Sequence, residues 1–140
     1  MATAIAGLLV AGDVVTLRGD VGAGKTSFVQ ALIHALAPDA GDVTSPTFNL
    51  MQSYEVTLAS GKPDIIWHLD LYRLEEASEA NALGLDELEA HIMLIEWPEI
   101  IEHTLPKARL DIYFVFCDDA DKRTLLLHGN EAWRKRLASL

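Results

Sequence analysis

Residues 19–26 have the sequence features of a phosphate-binding loop. They read Gly-Asp-Val-Gly-Ala-Gly-Lys-Thr and fit the pattern G-x-x-x-x-G-K-[ST]. Glycines in such a loop let the backbone turn several N–H groups toward phosphate oxygens, and the N-terminus of the following helix adds positive charge. We therefore expect Lys25 to reach the β- and γ-phosphates of a nucleotide and the hydroxyl of Thr26 to ligate Mg²⁺.

The residues on either side of this loop have the types that the motif requires. Residues 13–18 are predicted to form a buried strand that ends at the loop, and residues 27–36 are predicted to form the helix that leaves it. The alternative is a glycine-rich turn that binds no ligand. A strand, a loop and a helix in this order favour the phosphate site.

A P-loop ATPase also needs an acid at the end of a neighbouring strand, which holds Mg²⁺ directly or through water. Two carboxylates qualify. Asp70 follows the largely apolar run 65–69, and Glu96 follows the fully apolar run 92–95. Glu96 is the clearer candidate because its strand contains no other polar residue. The alternative for each acid is a helix cap or a solvated carboxylate.

Three further side chains are candidates whose roles the sequence leaves open. Residues 45–47 (Ser-Pro-Thr) resemble a switch loop, in which the hydroxyl of Thr47 meets the γ-phosphate or the attacking water, and they fit an ordinary turn equally well. Trp97 either packs in the core or covers the site. His68 lies two residues before Asp70, and we expect it to be packed or hydrogen-bonded rather than a general base.

The rest of the chain is predicted to alternate strands and helices. We expect an antiparallel hairpin of strands at 48–56 and 64–72, two short helices in 74–90 broken near Gly84, strands at 92–95, 108–116 and 123–128, and a final helix at 130–140 capped by Asn130. The fold class is therefore α/β. It is a P-loop NTPase-like three-layer domain with a mixed central sheet, and residues 1–140 form this single domain.

Composition limits the class of protein. A chain of 140 residues, 50% of them hydrophobic, suits one domain with its own core, and no apolar run is long enough to span a bilayer. The N-terminal segment lacks a basic region, so we expect no cleaved signal and a cytoplasmic location. Cys117 is the single cysteine; its apolar surroundings favour the core. The histidines have no zinc-type spacing.

The net charge argues against a protein that binds nucleic acid without a partner protein. The formal net charge is −10, whereas phosphate backbones are bound by clustered Lys and Arg. The one basic cluster, at residues 134–136, is more simply a solvated helix face. The chain lacks the Asn-Lys-x-Asp segment that reads guanine. It also shows little sign of the arginine-rich lid of a small-molecule kinase.

Four motifs together resemble one family, TsaE, also called YjeE. This is the small bacterial P-loop ATPase family needed to make threonylcarbamoyladenosine in tRNA. The motifs lie at residues 19–27, 45–48, 68–74 and 95–99. The P-loop is shared by many proteins, but the His-x-Asp-x-Tyr-Arg and Glu-Trp segments at this spacing are far more specific.

The resemblance implies a role for individual residues and for two cofactors, ATP and Mg²⁺. Asp70 and Glu96 would flank the metal and the attacking water, and Thr47 would belong to a switch-like loop. The implied nucleotide-binding residues are Gly22, Ala23, Gly24, Lys25, Thr26, Ser27 and Trp97; the implied metal ligands are Thr26 and Glu96; the implied catalytic residues are Asp70, Glu96 and Thr47. Ser27 stands where a second threonine is common in the family.

The resemblance also implies partners. Family members act with the proteins TsaD and TsaB, so this chain would reach tRNA only indirectly and would need no membrane. The family's N-terminal strand and part of its first helix are expected to be missing from this sequence. Two other functions stay open: a P-loop small-molecule kinase, and a nucleotide-switched binding module without useful turnover.

Overall fold

A computed structural model of the protein describes residues 1–44, 46, 50–119 and 122–140. The helices are α1 (Ala2–Ala6), α2 (Lys25–Leu36), α3 (Ala77–Asn81) and α4 (Glu131–Leu137). The strands are β1 (Val14–Arg18), β2 (Met51–Thr57), β3 (Pro63–Asp70), β4 (Ile92–Glu96), β5 (Leu110–Phe116) and β6 (Arg123–Gly129). Two 3₁₀ segments, Leu85–Leu88 and Pro98–Thr104, flank β4.

Within the described residues, the six strands form one mixed sheet in the order β2-β3-β4-β1-β5-β6. Strands β3, β4, β1 and β5 run parallel, and the edge strands β2 and β6 pair antiparallel with their neighbours. This confirms the predicted mixed sheet and the predicted hairpin of β2 and β3. The carboxyl ends of β1, β3 and β4 therefore meet at one edge of the sheet.

Both faces of the sheet are covered, which gives the predicted three layers. One face packs on α1, α2 and α4 through a core that includes Ile5, Leu32 and Trp133. The other face packs on α3 and the 3₁₀ segments through residues such as Ala80 and Ile101. Every residue of β1 and β4 is buried, which explains the continuous apolar run at 92–95 in β4. In β1 the buried polar residues Thr16 and Arg18 interrupt the apolar pattern.

Helix α2 forms because its apolar residues share one face. Phe28, Val29, Leu32 and Ile33 are buried, a spacing of three to four residues that turns one stripe toward the sheet. The helix begins at Lys25, two residues before its predicted start, and ends before Pro38, which disfavours helical geometry at the preceding residue.

Two other local predictions are confirmed and one is wrong. The segment after β3 breaks at Gly84, whose φ of 66° lies in the left-handed region, and the Asn130 side chain caps α4 by accepting from the Trp133 N–H. Cys117 is exposed rather than in the core, because β5 leaves the core after Phe114.

No helix among the described residues is long and apolar enough to cross a membrane.

Candidate active site

A cleft of about 410 Å³ lies where the loop after β1 meets the ends of β3 and β4. Its lining residues are Val21, Gly22, Gly24, Lys25, Thr26, Ser27, Asp70, Tyr72, Glu96 and Trp97. Val21 and Tyr72 had been given no role from the sequence. Ala23 does not line the cleft: its side chain is fully buried, and its N–H donates to the Asp20 carbonyl. Thr47 lies outside the described residues.

A larger cavity, of about 690 Å³, lies under α3 and the 3₁₀ segments, with Val14, Met93 and Ile95 among its lining residues. None of residues 19–27 and neither predicted acid lines it. Phosphate chemistry requires the loop and an acid together. We therefore assign the candidate site to the smaller cleft.

The loop between β1 and α2 depends on glycine for two different reasons. Gly24 immediately precedes α2 with φ at 98°, a left-handed conformation that side chains disfavour. Gly19 has φ at 144°, and a Cβ there would lie 2.8 Å from the carbonyl oxygen of Phe114 on β5. The loop therefore lies against β5 at Gly19, and its residues Gly22 and Gly24 line the cleft just before α2 begins.

Lys25 is held inside the cleft by the protein itself. Its side chain packs under Trp97, with Nζ 3.5 Å from the ring centroid, and Nζ donates a hydrogen bond to the Gly19 carbonyl. Burial lowers the pKa of Lys25, and the nearby carboxylates Glu96, Glu99 and Asp70 oppose that shift without cancelling it. The ammonium group is therefore already partly desolvated and can be transferred to a phosphate oxygen at reduced cost.

The two predicted acids come together at the strand ends. Asp70 and Glu96 are register partners on the parallel strands β3 and β4, so their side chains project to the same face. Glu96 is 2% exposed. Asp70 is half-buried and accepts a hydrogen bond from the Tyr72 N–H. Burial raises the pKa of Asp70, the Tyr72 N–H opposes the shift, and the charge of Glu96 adds to it.

His68 is fully buried, and its Nε2 lies 2.6 Å from Oε2 of Glu96. This confirms the prediction that His68 is packed or hydrogen-bonded. Its partner was not predicted, since the sequence does not show the register between β3 and β4.

Trp97 covers one wall of the cleft. Its backbone is left-handed, with φ and ψ both at 56°, and Pro98 follows as the first residue of the 3₁₀ segment. The ring packs on Tyr72 with centroids 4.8 Å apart. The sequence left open whether Trp97 packs in the core or covers the site. The structure places its ring over Lys25 at the edge of the cleft. Tyr72 could have been noticed because it lies in the same motif as Asp70.

An ion-pair network supports β1, the strand that ends at the glycine-rich loop of residues 19–24. Oδ1 of Asp111 accepts from Thr16 Oγ1, from Arg18 Nη2 at 3.1 Å and from Arg109 Nε at 3.0 Å. Both arginines also pair with Glu102. Burial alone would raise the pKa of Asp111, but the hydrogen bonds from Thr16 and Arg109 and the charge of Arg18 outweigh it and lower that pKa. No sequence pattern indicated this network.

The basic cluster on α4 is not a uniformly solvated face, contrary to the prediction. Arg136 donates to both carboxylate oxygens of Asp13, at 2.7 and 3.0 Å, and stacks on Trp133. It therefore ties α4 to the start of β1. Lys135 remains on the surface, where it pairs with Glu131 at 3.6 Å.

The donor set of the cleft suits Mg²⁺ when a nucleotide completes it. Among the described residues, no group of three or more His, Cys, Asp and Glu is placed to hold a metal ion. Mg²⁺ usually takes one or two protein carboxylates and fills its shell with substrate phosphates and water. Thr26, Asp70 and Glu96 line the same cleft and supply such a partial set.

Comparisons with known proteins agree on one family. Residues 1–125 match the family model described as "Threonylcarbamoyl adenosine biosynthesis protein TsaE". A TsaE protein of Rickettsia bellii is 41% identical over 123 residues, covering 87% of this chain and 81% of the relative. A TsaE protein of Bacillus subtilis is 38% identical over 122 residues, covering 85% and 72%. The crystal structure of Bacillus subtilis YdiB superposes with a TM-score of 0.74 at 29% identity, covering 99% of this chain and 82% of that one.

Proposed function

This chain belongs to the TsaE family of tRNA threonylcarbamoyladenosine biosynthesis, and on that premise we propose that it is a Mg²⁺-dependent ATP hydrolase acting with the proteins TsaD and TsaB. The observation that carries the proposal is one cleft lined by both Lys25 and the buried Glu96, whose charge acts on Lys25. A loop, its lysine and an acid at the end of the adjacent strand are the parts that phosphoryl transfer from a nucleotide requires.

Every lining residue of the cleft except Val21 has a role in this proposal. Backbone N–H groups of the loop around Gly22 and Gly24, together with the N-terminus of α2, would bind the phosphates. Lys25 would leave the Gly19 carbonyl to contact the β- and γ-phosphates. Thr26 and Ser27 would supply hydroxyls to the metal and the phosphates.

The acids would act on the metal and the water. Glu96 would hold Mg²⁺ with Thr26, and Asp70 would orient the attacking water or a metal-bound water. When bound, Mg²⁺ neutralises charge on the β- and γ-phosphate oxygens. Trp97 and Tyr72 would exclude solvent from one side of the cleft.

The surface charge supports an indirect role at tRNA. The net charge is −10, and Arg136 of the basic cluster is engaged by Asp13. The chain therefore offers little for a phosphate backbone, and TsaD and TsaB would carry the contact with tRNA. We propose that the protein works in the cytoplasm, where tRNA modification takes place.

The direct test is phosphate release from ATP with water as the only acceptor, with and without TsaD and TsaB. Lys25→Ala should lower kcat/KM by at least ~100-fold, the loss seen when one donor to a developing charge is removed. Lys62→Ala, at the exposed turn between β2 and β3, is the matched control and should leave turnover unchanged. Full hydrolysis by a folded Lys25→Ala protein would overturn the proposal.

The same assay separates the other two functions. A small-molecule kinase would release little phosphate until an acceptor is added. A binding module would show no useful turnover, and its affinity for TsaD and TsaB would differ among ATP, ADP and a non-hydrolysable analogue.

A further inference from the structure

The buried pair of His68 and Glu96 is not explained by the roles given above. His68 is 0% exposed and Glu96 is 2% exposed. The two residues are not opposite each other in the sheet: His68 is in register with Leu94, and Glu96 is in register with Asp70. The imidazole therefore reaches along the sheet by two residues to place Nε2 at 2.6 Å from Oε2 of Glu96.

The hydrogen bond fixes the direction in which the proton is donated. A carboxylate accepts, so the ring must carry its proton on Nε2. Nδ1 is buried with no hydrogen-bond partner among the described residues. A buried N–H without an acceptor is rarer in native structures than a buried acceptor without a donor. Both observations select the Nε2–H tautomer.

We propose that His68 is a positioning residue for Glu96: by donating to Oε2 it fixes the carboxylate plane and leaves Oε1 to face the metal and water side of the cleft. This inference rests on the proposed ATPase function. Terminal torsions of Glu side chains are broad, so an unheld carboxylate would sample many orientations. A histidine inside the sheet, held by packing on all sides, removes that freedom before any ligand arrives.

The same contact has a purely structural interpretation, in which the pair only satisfies two buried polar groups. The two interpretations predict different effects when His68 is replaced by a residue of similar size that cannot donate a hydrogen bond. If the pair is structural, the loss appears in stability alone. If His68 positions Glu96, the loss appears in kcat and in the Mg²⁺ requirement, and it depends on Glu96 being a carboxylate.

The test compares three changes on β3. His68→Leu removes the donor, His68→Gln keeps an amide donor at the reach of Nε2, and Ile66→Val, at a fully buried residue on the same strand, is the control for lost packing. We expect His68→Leu to lower kcat by about 10- to 100-fold, the usual effect of removing a partner of a metal ligand, and to raise the Mg²⁺ concentration needed for half-maximal turnover. His68→Gln should restore most of both, and Ile66→Val should lower the Tm without changing either.

Coupling to Glu96 decides between the interpretations. In a Glu96→Gln background, the further change His68→Leu should have no additional effect on kcat. Effects that multiply would overturn the inference, because His68 would then act independently of Glu96. The outcome is distinct from failure of the proposed function, which would appear as wild-type turnover that is absent or unaffected by Lys25→Ala.

A second measurement needs neither nucleotide nor metal, and it covers the case in which His68→Leu fails to fold. Long-range ¹H–¹⁵N NMR of the histidine rings, assigned by the signals lost in His68→Gln, should show the Nε2–H tautomer for His68. The Nε2 and Hε2 shifts should change in Glu96→Gln. An Nδ1–H tautomer would overturn the inference, since it has no proton to donate to Glu96.

Discussion

Replacing Asp111 with alanine should destabilise the protein through β1, the strand that leads into the glycine-rich loop of residues 19–24. The Asp111 side chain is 7% exposed, and its Oδ1 accepts from Thr16, Arg18 and Arg109. Asp111→Ala leaves Glu102 as the remaining ion-pair partner of both guanidinium groups among the described residues, and the Glu102 side chain is 42% exposed. Arg18 is the residue immediately before the loop, so the change acts directly behind the candidate site.

The expected loss of stability in Asp111→Ala depends on the ion pairs that remain after the substitution. Removing one partner of a buried ion pair costs roughly 3–5 kcal/mol. Because Glu102 still pairs with both arginines, we take the lower end, about 3 kcal/mol. In a chain of this size each kcal/mol corresponds to about 3 °C, so the Tm should fall by about 10 °C.

The pH dependence provides a second signature. The folded-state pKa of Asp111 is lowered, so its carboxylate contributes stability above the unfolded pKa of about 3.9, and that contribution is lost as pH falls through the folded pKa. The difference in unfolding free energy between wild type and Asp111→Ala should therefore be complete at neutral pH. It should shrink as the solution is acidified below about pH 4.

Urea unfolding followed by circular dichroism measures both quantities. Asp118→Ala is the matched control, because Asp118 is an exposed aspartate just beyond β5 and its loss should fall within about 0.5 kcal/mol. A loss below about 1 kcal/mol for Asp111→Ala, close to that of an ordinary surface change, would refute the reasoning. So would a difference that stays constant into acid.

Three further outcomes are expected at the cleft and the surface. Glu96→Gln should weaken Mg²⁺-dependent turnover more than nucleotide binding, as Mg²⁺ titrations of each would show; equal losses would remove Glu96 from the metal. Trp97→Phe should abolish most of the tryptophan fluorescence change on adding ATP, and an undiminished change would mean that another tryptophan reports binding. ATP affinity should fall as pH rises through the lowered pKa of Lys25, because only the protonated amine attracts phosphate. This fall should occur at a lower pH than for an ordinary lysine, and calorimetry over a pH series tests it.

The parts of the fold that could be predicted are those fixed by local sequence. The strand before the glycine-rich loop of residues 19–24 and the helix after it follow from apolar runs and from glycines within a few residues. The break at Gly84 and the cap at Asn130 are likewise local. The order of the strands was not predicted beyond one hairpin, because it depends on contacts between residues far apart in sequence.

The candidate site shows the same division. Asp70 and Glu96 were singled out because each ends an apolar run, and the structure places both in the cleft. The contact between His68 and Glu96 depends on the register of β3 against β4, and the network around Asp111 joins residues 93 and 95 positions apart. Cys117 was misplaced because its apolar run continues beyond the core: Val115 and Phe116, just before it, are also exposed.

The close approach of Gly19 to β5 has a consequence for genetic suppression. The nearest atom to a Cβ at this position would be the backbone oxygen of Phe114, at 2.8 Å, and the Phe114 Cβ would follow at 3.1 Å. Trimming the Phe114 ring would not create room, because neither obstacle belongs to the ring. A defect caused by Gly19→Ala should therefore have no compensating substitution at position 114. A Cβ at Gly24, by contrast, would meet no protein atom within 4 Å, so a loss of stability caused there is one of backbone conformation alone.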